Sequence, residues 1–208
     1  MVDIRIMHPA STEIIDLYER NAQAFDEARG RSLFERAWLE RFRAAMGADA
    51  SVLDIGCGAG EPIARYFVDA GSRVTGVDSA PSLIEIARAR FPGHAWMVGD
   101  MRSLDLGVRF GGILAWDSFF HLRHEDQRLM FPIFRKHAAP AAALMFTSGP
   151  SHGEAIGSFQ GEALYHASLA PEEYERLLAA NGFDVVDHAA EDQSCGGHTV
   201  WLARLSSK

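Results

Sequence analysis

The sequence predicts a single α/β domain built from parallel strands joined by crossover helices. Three observations predict it. From residue 51 onward, short β-rich runs alternate with helical stretches, the pattern of strand, crossover helix and strand. The run Val52-Leu53-Asp54-Ile55 passes directly into a glycine-rich turn and then into a helix. The chain of 208 residues, 48% hydrophobic and 23% charged, is enough for one substantial core and too short to favour two independent domains.

The elements follow in order. Residues 12 to 46 read as helical in two pieces, because Ile14, Ile15, Leu17 and Tyr18, then Leu33, Phe34, Ala37, Trp38 and Phe42, recur at three-to-four spacing with Gly30 and Ser32 between them. Ser32 followed by Glu35 fits a capping box and places the second helix start there. Strands are expected at Val52 to Ile55, Arg73 to Val77, Ala95 to Val98, Gly112 to Trp116 and Ala142 to Thr147. Ser79 followed by Pro81 opens a helix running to about Phe91, since proline in a first turn gives up only an amide that would be unbonded anyway. Residues 149 to 170 carry five glycines and prolines without a steady period and read as an irregular excursion. A helix from Pro171 to Ala180 stops at Asn181-Gly182, and β-rich runs follow at Phe183 to His188 and His198 to Leu205. The organisation is one domain over 1–208: N-terminal helices in 1–48, a core in 50–148, a candidate substrate-side loop in 149–170, and a C-terminal helix with two strands in 171–208.

Lys plus Arg is 20 against Asp plus Glu at 28, a net charge of −8, which disfavours attraction to a polyanion, so no nucleic-acid partner is expected. The longest apolar run, Ala138 to Phe146, contains Pro140 and is far too short to span a bilayer, so no membrane association is expected. Met1 to Ser11 mixes Asp3, Arg5 and His8 among its apolar residues and has no secretory core, and the reading is a cytoplasmic protein. Cys57 and Cys195 form neither a disulfide framework nor a C-x-x-C pair and are expected as free thiols.

The chemistry is concentrated after the first strand. Glycines at 56, 58 and 60 remove side chains that would keep a ligand from the backbone at a helix start. Asp78 ends the next strand, where a carboxylate can accept hydrogen bonds from both hydroxyls of a ribose. Together they describe an adenosine site. A dinucleotide fingerprint would need glycine or alanine at position 61, where Glu61 stands instead. That carboxylate repels pyrophosphate but suits a sulfonium amino acid, which is cationic and has no phosphate.

The pattern Asp54, Gly56, Gly58, Gly60 resembles motif I of the class I S-adenosylmethionine-dependent methyltransferases, small-molecule type. Val77-Asp78-Ser79 resembles the family's acidic ribose-binding loop, Gly99-Asp100-Met101 its adenine motif, and Trp116-Asp117-Ser118-Phe119-Phe120-His121-Leu122 its motif IV. The resemblance covers roughly residues 50 to 148. It implies a Rossmann-like, seven-stranded, mostly parallel sheet in order 3-2-1-4-5-7-6 with strand seven antiparallel, flanked by helices, the ligand lying at the carboxyl ends of the strands. It implies S-adenosyl-L-methionine as cofactor, S-adenosyl-L-homocysteine as product, and a small-molecule methyl acceptor. Cofactor roles fall to Asp54, Gly56, Cys57, Gly58, Gly60, Asp78, Ser79, Asp100, Met101 and Trp116, the last either a packed aromatic or a sulfonium partner.

His121 is the candidate general base, a position where the family often has a polar residue whatever the substrate. Tyr18, Arg31, Asp117, Phe120, Tyr165 and His166 are candidate substrate residues. Tyr18, Phe25, Arg29 and Arg31 read either as an N-terminal helical lid or as a packed helix with a solvated basic turn. The histidines and carboxylates of the excursion lack a recognised ligand spacing, so no metal is expected. A sulfonium is already activated, and alignment alone contributes about 7 to 11 kcal/mol to such a transfer, so no catalytic triad is required. Two alternatives stay open: a non-catalytic binder or sensor of S-adenosylmethionine, and a nicotinamide oxidoreductase. The acceptor, the atom methylated and the oligomeric state are not legible.

Overall fold

The computed structural model describes residues 8–206; residues 1–7, which include most of the stretch read for a secretory core, lie outside it. Three helices precede the sheet: α1 (Ala10–Arg20), α2 (Ala22–Arg29) and α3 (Arg36–Ala45). The expected two pieces are three, because the helix breaks at Asn21, whose φ of −114° and ψ of 19° are not helical and whose side-chain amide donates to the Leu17 carbonyl at 3.0 Å. The capping box does not form either. Helix α3 starts at Arg36, and the Glu35 carboxylate is fully buried against the Arg29 guanidinium. A buried carboxylate needs a cation more than an exposed helix start needs a cap.

The sheet strands are β1 (Ser51–Ile55), β2 (Arg73–Asp78), β3 (Ala95–Val98), β4 (Phe110–Ala115) and β5 (Ala138–Ser148), with helices α4 (Ile63–Asp69), α5 (Pro81–Arg90) and α6 (His124–His137) between them. A hairpin, β6 (Gly153–Phe159) and β7 (Glu162–Ser168), precedes α7 (Pro171–Ala180), β8 (Phe183–Asp192) and β9 (His198–Leu205). The main sheet runs β3-β2-β1-β4-β5-β9-β8, with β9 antiparallel to both neighbours. With the hairpin set aside, β8 and β9 are the sixth and seventh strands, so this is the expected order.

Residues 149–170 are a correction. They form a two-stranded antiparallel ribbon turning at Gln160 and Gly161, whose φ of 52° and 80° are both left-handed, the geometry that matches the twist of a tight hairpin. Strand β6 is exposed at nearly every position, so its sequence carries no alternation between inward apolar and outward polar residues.

The main sheet is covered on both faces, as parallel sheets are. Along β1, Leu53 and Ile55 join the cluster containing Phe119, Phe131, Phe146 and Trp201, while Val52 joins the opposite cluster of Trp38, Phe42, Phe67 and Leu114. The two-residue strand period thus divides one apolar run between two cores. No helix among the described residues is long and apolar enough to cross a membrane.

Candidate active site at the carboxyl ends of the strands

Strand β1 delivers the chain into the glycine turn, which β2 holds in place: the Gly56 and Cys57 amides both donate to the Val77 carbonyl, at 2.7 and 3.1 Å. Gly56 has φ 74°, and a Cβ there would lie 2.2 Å from the Cβ of Ser118. Gly58 has φ 53°, and a Cβ there would meet the Phe25 ring at 3.1 Å. The backbone is therefore bare on its open side and closely backed where Ser118 donates to the Ile55 carbonyl at 2.7 Å.

Asp78 bridges two loops. Its Oδ2 accepts from the Gly58 amide and its Oδ1 from the Ala80 amide, each at 2.9 Å. Burial pushes its carboxyl up, although these backbone donors oppose the rise. Asp54, also buried, is pushed up to about 7, first by burial and then by the charge of Asp78, with Arg29 opposing.

Above the loop lies a two-lobed cavity. The larger lobe, about 250 Å³, is lined by Val77, Asp78, Ser79, Leu83, Asp100 and Met101, and by Tyr18 and His121 from the other side. The smaller, about 40 Å³, is lined by Asp54, Cys57, Gly60, Arg29 and Trp116. Gly56, Gly58, Phe25 and Asp117 belong to both. The indole N–H of Trp116 is buried without a partner among the described residues, an anomaly that a ligand acceptor in the small lobe would remove.

A family model described as a methyltransferase domain matches residues 52–141. Over that stretch the chain is similar to methyltransferase domains. It is 28% identical over 134 residues to dTDP-4-amino-2,3,4,6-tetradeoxy-D-glucose N,N-dimethyltransferase of Saccharopolyspora spinosa, covering 62% of this chain and 52% of that protein. To a malonyl acyl-carrier-protein O-methyltransferase of Pseudescherichia vulneris it is 28% identical over 134 residues, covering 63% of this chain and 51% of the other. The chain thus spans about half the length of these curated relatives. Its fold is shared with Burkholderia thailandensis 1,6-didemethyltoxoflavin-N1-methyltransferase, whose crystal structure holds 1,6-didemethyltoxoflavin and S-adenosylhomocysteine, at TM-score 0.74 and 20% identity over 99% of this chain and 93% of that one.

All ten residues read as cofactor-binding line one lobe or the other. The acceptor-side residues divide. Tyr18, Asp117 and His121 line the large lobe. Phe120 and His166 pack on the His121 ring, with centroids at 4.8 and 4.9 Å. Tyr165 offers His121 only its carbonyl, its own hydroxyl donating to Glu154 at 2.9 Å. Arg31 lies outside both lobes and pairs with Asp26.

His121 is held at both nitrogens. The Tyr165 carbonyl, 2.8 Å from Nδ1, only accepts, so Nδ1 carries the proton and Nε2 accepts from the Tyr18 hydroxyl at 3.0 Å. Burial pushes the ring down to about 4, and it is neutral at neutral pH. Tyr18→Phe should leave Nε2 buried without its donor, at a cost of about 1–2 kcal/mol. Urea denaturation checks this, and an unmoved midpoint at unchanged slope would show that the bond contributes nothing.

Sequence reasoning missed His198. Its Nε2 lies 3.0 Å from Asp117 Oδ1, its Nδ1 2.7 Å from the Cys195 carbonyl, and its ring stacks on Trp116 with centroids 5.5 Å apart. A signal existed: an antiparallel strand beside β5 begins at the carboxyl end of the sheet, so its first residue belongs beside the ligand. Both thiols are free and buried. Burial raises both, Cys195 to about 12.

Proposed function

We propose that this domain binds S-adenosylmethionine across the two lobes and directs its methyl group to a small-molecule acceptor. The observation that carries the reading is the donor set of the small lobe. Arg29 and the unpartnered Trp116 N–H suit a carboxylate, and the buried Asp54 carboxyl suits an ammonium, so the lobe is polarised for an amino acid. It opens on a chamber with a ribose-type carboxylate and apolar walls. Asp78 takes the ribose hydroxyls, Asp100 the adenine amino group, and Leu83 and Met101 flank the ring. When bound, S-adenosylmethionine supplies a methyl group activated by its sulfonium. The chain's part is to hold the two reactants in line and to exclude water, which Phe25 and Tyr18 do from the N-terminal helices.

The reading has a pH signature. Asp54 has its folded carboxyl raised to about 7, so near neutrality the unliganded site is partly protonated there, whereas an ammonium favours the ionised form. Binding should therefore release about half a proton at pH 7, and affinity should fall as pH drops through 7. Calorimetric titration with S-adenosylhomocysteine in buffers of different ionisation enthalpy checks this, and equal enthalpies would refute the assignment of Asp54. The reading as a whole rests on the titration itself: no heat and no thermal shift with either S-adenosylmethionine or S-adenosylhomocysteine would overturn it.

A further inference from the structure

His121 lines the cavity and His198 stands behind two of its lining residues, Asp117 and Trp116, and neither ring has a free lone pair. His121 spends Nε2 on the Tyr18 hydroxyl. In His198 the geometry is stricter. Nδ1 faces the Cys195 carbonyl at 2.7 Å and must donate to it, while Nε2 faces both carboxylate oxygens of Asp117, at 3.0 and 3.2 Å. Without a proton on Nε2, lone pairs would oppose each other there, so the ring is an imidazolium paired with a carboxylate. The side-chain hydrogen bond and charge of Asp117 raise the His198 pKa, in agreement.

The other titratable groups of the cavity are also committed. Asp100 and Asp126 face Arg102, and Glu61 pairs with Arg65. Asp54 and Asp78 serve the cofactor in the reading above, and burial pushes the Tyr18 phenol up, away from ionisation. Asp117 is different. It lines both lobes at their junction and is fixed from behind: its amide donates to Thr147 Oγ1 at 2.9 Å, and its φ of 49° is left-handed. Strained backbone of this kind persists where its surroundings over-determine it, and clusters at functional sites. The His198 ring occupies one side of the carboxylate. The carboxylate's outer lone pairs still accept hydrogen bonds.

A hydroxyl nucleophile has to lose its proton as it attacks and needs a base. A neutral amine brings its own lone pair and loses a proton only afterwards. We propose that Asp117, held by His198 and Thr147, is the acceptor-binding carboxylate of the site and that the acceptor it takes is an amine. The inference rests on the methyl-transfer reading above. In the step, the nitrogen lone pair forms the N–CH3 bond as the C–S bond breaks, and the bonding pair stays on sulfur as the thioether. The proton of the resulting ammonium then passes to water. Asp117 accepts an N–H bond from the amine and faces the positive charge that moves onto nitrogen.

Two measurements on the full chain test this. Nitrogen-15 spectra of the histidine rings at pH 7 should show His198 protonated at both nitrogens and His121 at Nδ1 alone, and Asp117→Asn should return His198 to a neutral ring. A neutral His198 in the unaltered protein would overturn the proposal, whether or not the variant folds. Initial rates of S-adenosylhomocysteine formation are then compared for glucosamine against glucose and 2-phenylethylamine against 2-phenylethanol. The amine member should be the faster in at least one pair, with neither alcohol overtaking its amine. Asp117→Asn should lower the amine rate by about 10- to 100-fold while S-adenosylhomocysteine affinity changes less than threefold. An alcohol methylated as fast as its amine, or no amine methylated by protein that binds S-adenosylhomocysteine, would overturn the amine assignment and leave cofactor binding standing. Failure to bind S-adenosylhomocysteine would instead overturn the methyl-transfer reading beneath it.

Discussion

Asp78→Ala is expected to weaken S-adenosylhomocysteine binding by about 3 kcal/mol, roughly 100-fold or more in Kd. Two effects add. The variant removes the carboxylate that would accept both ribose hydroxyls, bonds strengthened by its charge. It also removes the two oxygens that accept from the Gly58 and Ala80 amides, so the glycine turn and the start of α5 lose the carboxylate that bridges them. One effect opposes: burial raises the Asp78 carboxyl, so deleting it relieves a desolvation cost, and the unliganded fold should lose far less than the complex. Asp78→Asn keeps one acceptor oxygen and should fall between the two. Calorimetry on variants with intact melting transitions measures this, and a Kd within threefold of the parent would remove Asp78 from the ribose site.

Gly56→Ala should be severely damaging for a single added methyl group. Its φ of 74° costs an L-residue about 1–2 kcal/mol. The added carbon would also sit 2.2 Å from Ser118 Cβ, an overlap that cores relieve at about 1–3 kcal/mol. The melting temperature should fall by on the order of 10 °C, with cofactor binding lost because the displaced turn is the floor of both lobes. Combining Gly56→Ala with Ser118→Gly separates the causes: removing the facing carbon should recover the overlap and leave the backbone cost. A melting temperature within about 2 °C of the parent for Gly56→Ala alone would show that the turn yields freely.

The central sheet and the cofactor residues were legible because their signals are local. A buried strand, three glycines at alternate positions and an acid at the next strand tip lie within residues 52–78, and backbone geometry relates them without long-range information. What was not legible depends on contacts made across the fold. The Asp117–His198 pair joins positions 81 residues apart, which only the antiparallel return of β9 brings together. Arg29 and Arg31 are alike in sequence, yet the left-handed Gly30 between them, φ 65°, sends one to Glu35 beside the small lobe and the other to Asp26. Glu35 matched a capping pattern that its burial overrides. Phe120, Tyr165 and His166 form the support behind His121, a distinction that depends on how a hairpin without a periodic sequence packs.

That hairpin docks on the N-terminal helices beside the cavity. Phe159 at its tip packs on Tyr18 and Phe25, with centroids at 6.0 and 6.2 Å, and Glu162 takes hydrogen bonds from Arg20 and Asn21. Tyr18 and Phe25 line the cavity, so the hairpin braces one of its walls from outside, and the freedom of that wall to move is set by contacts that no bound molecule touches.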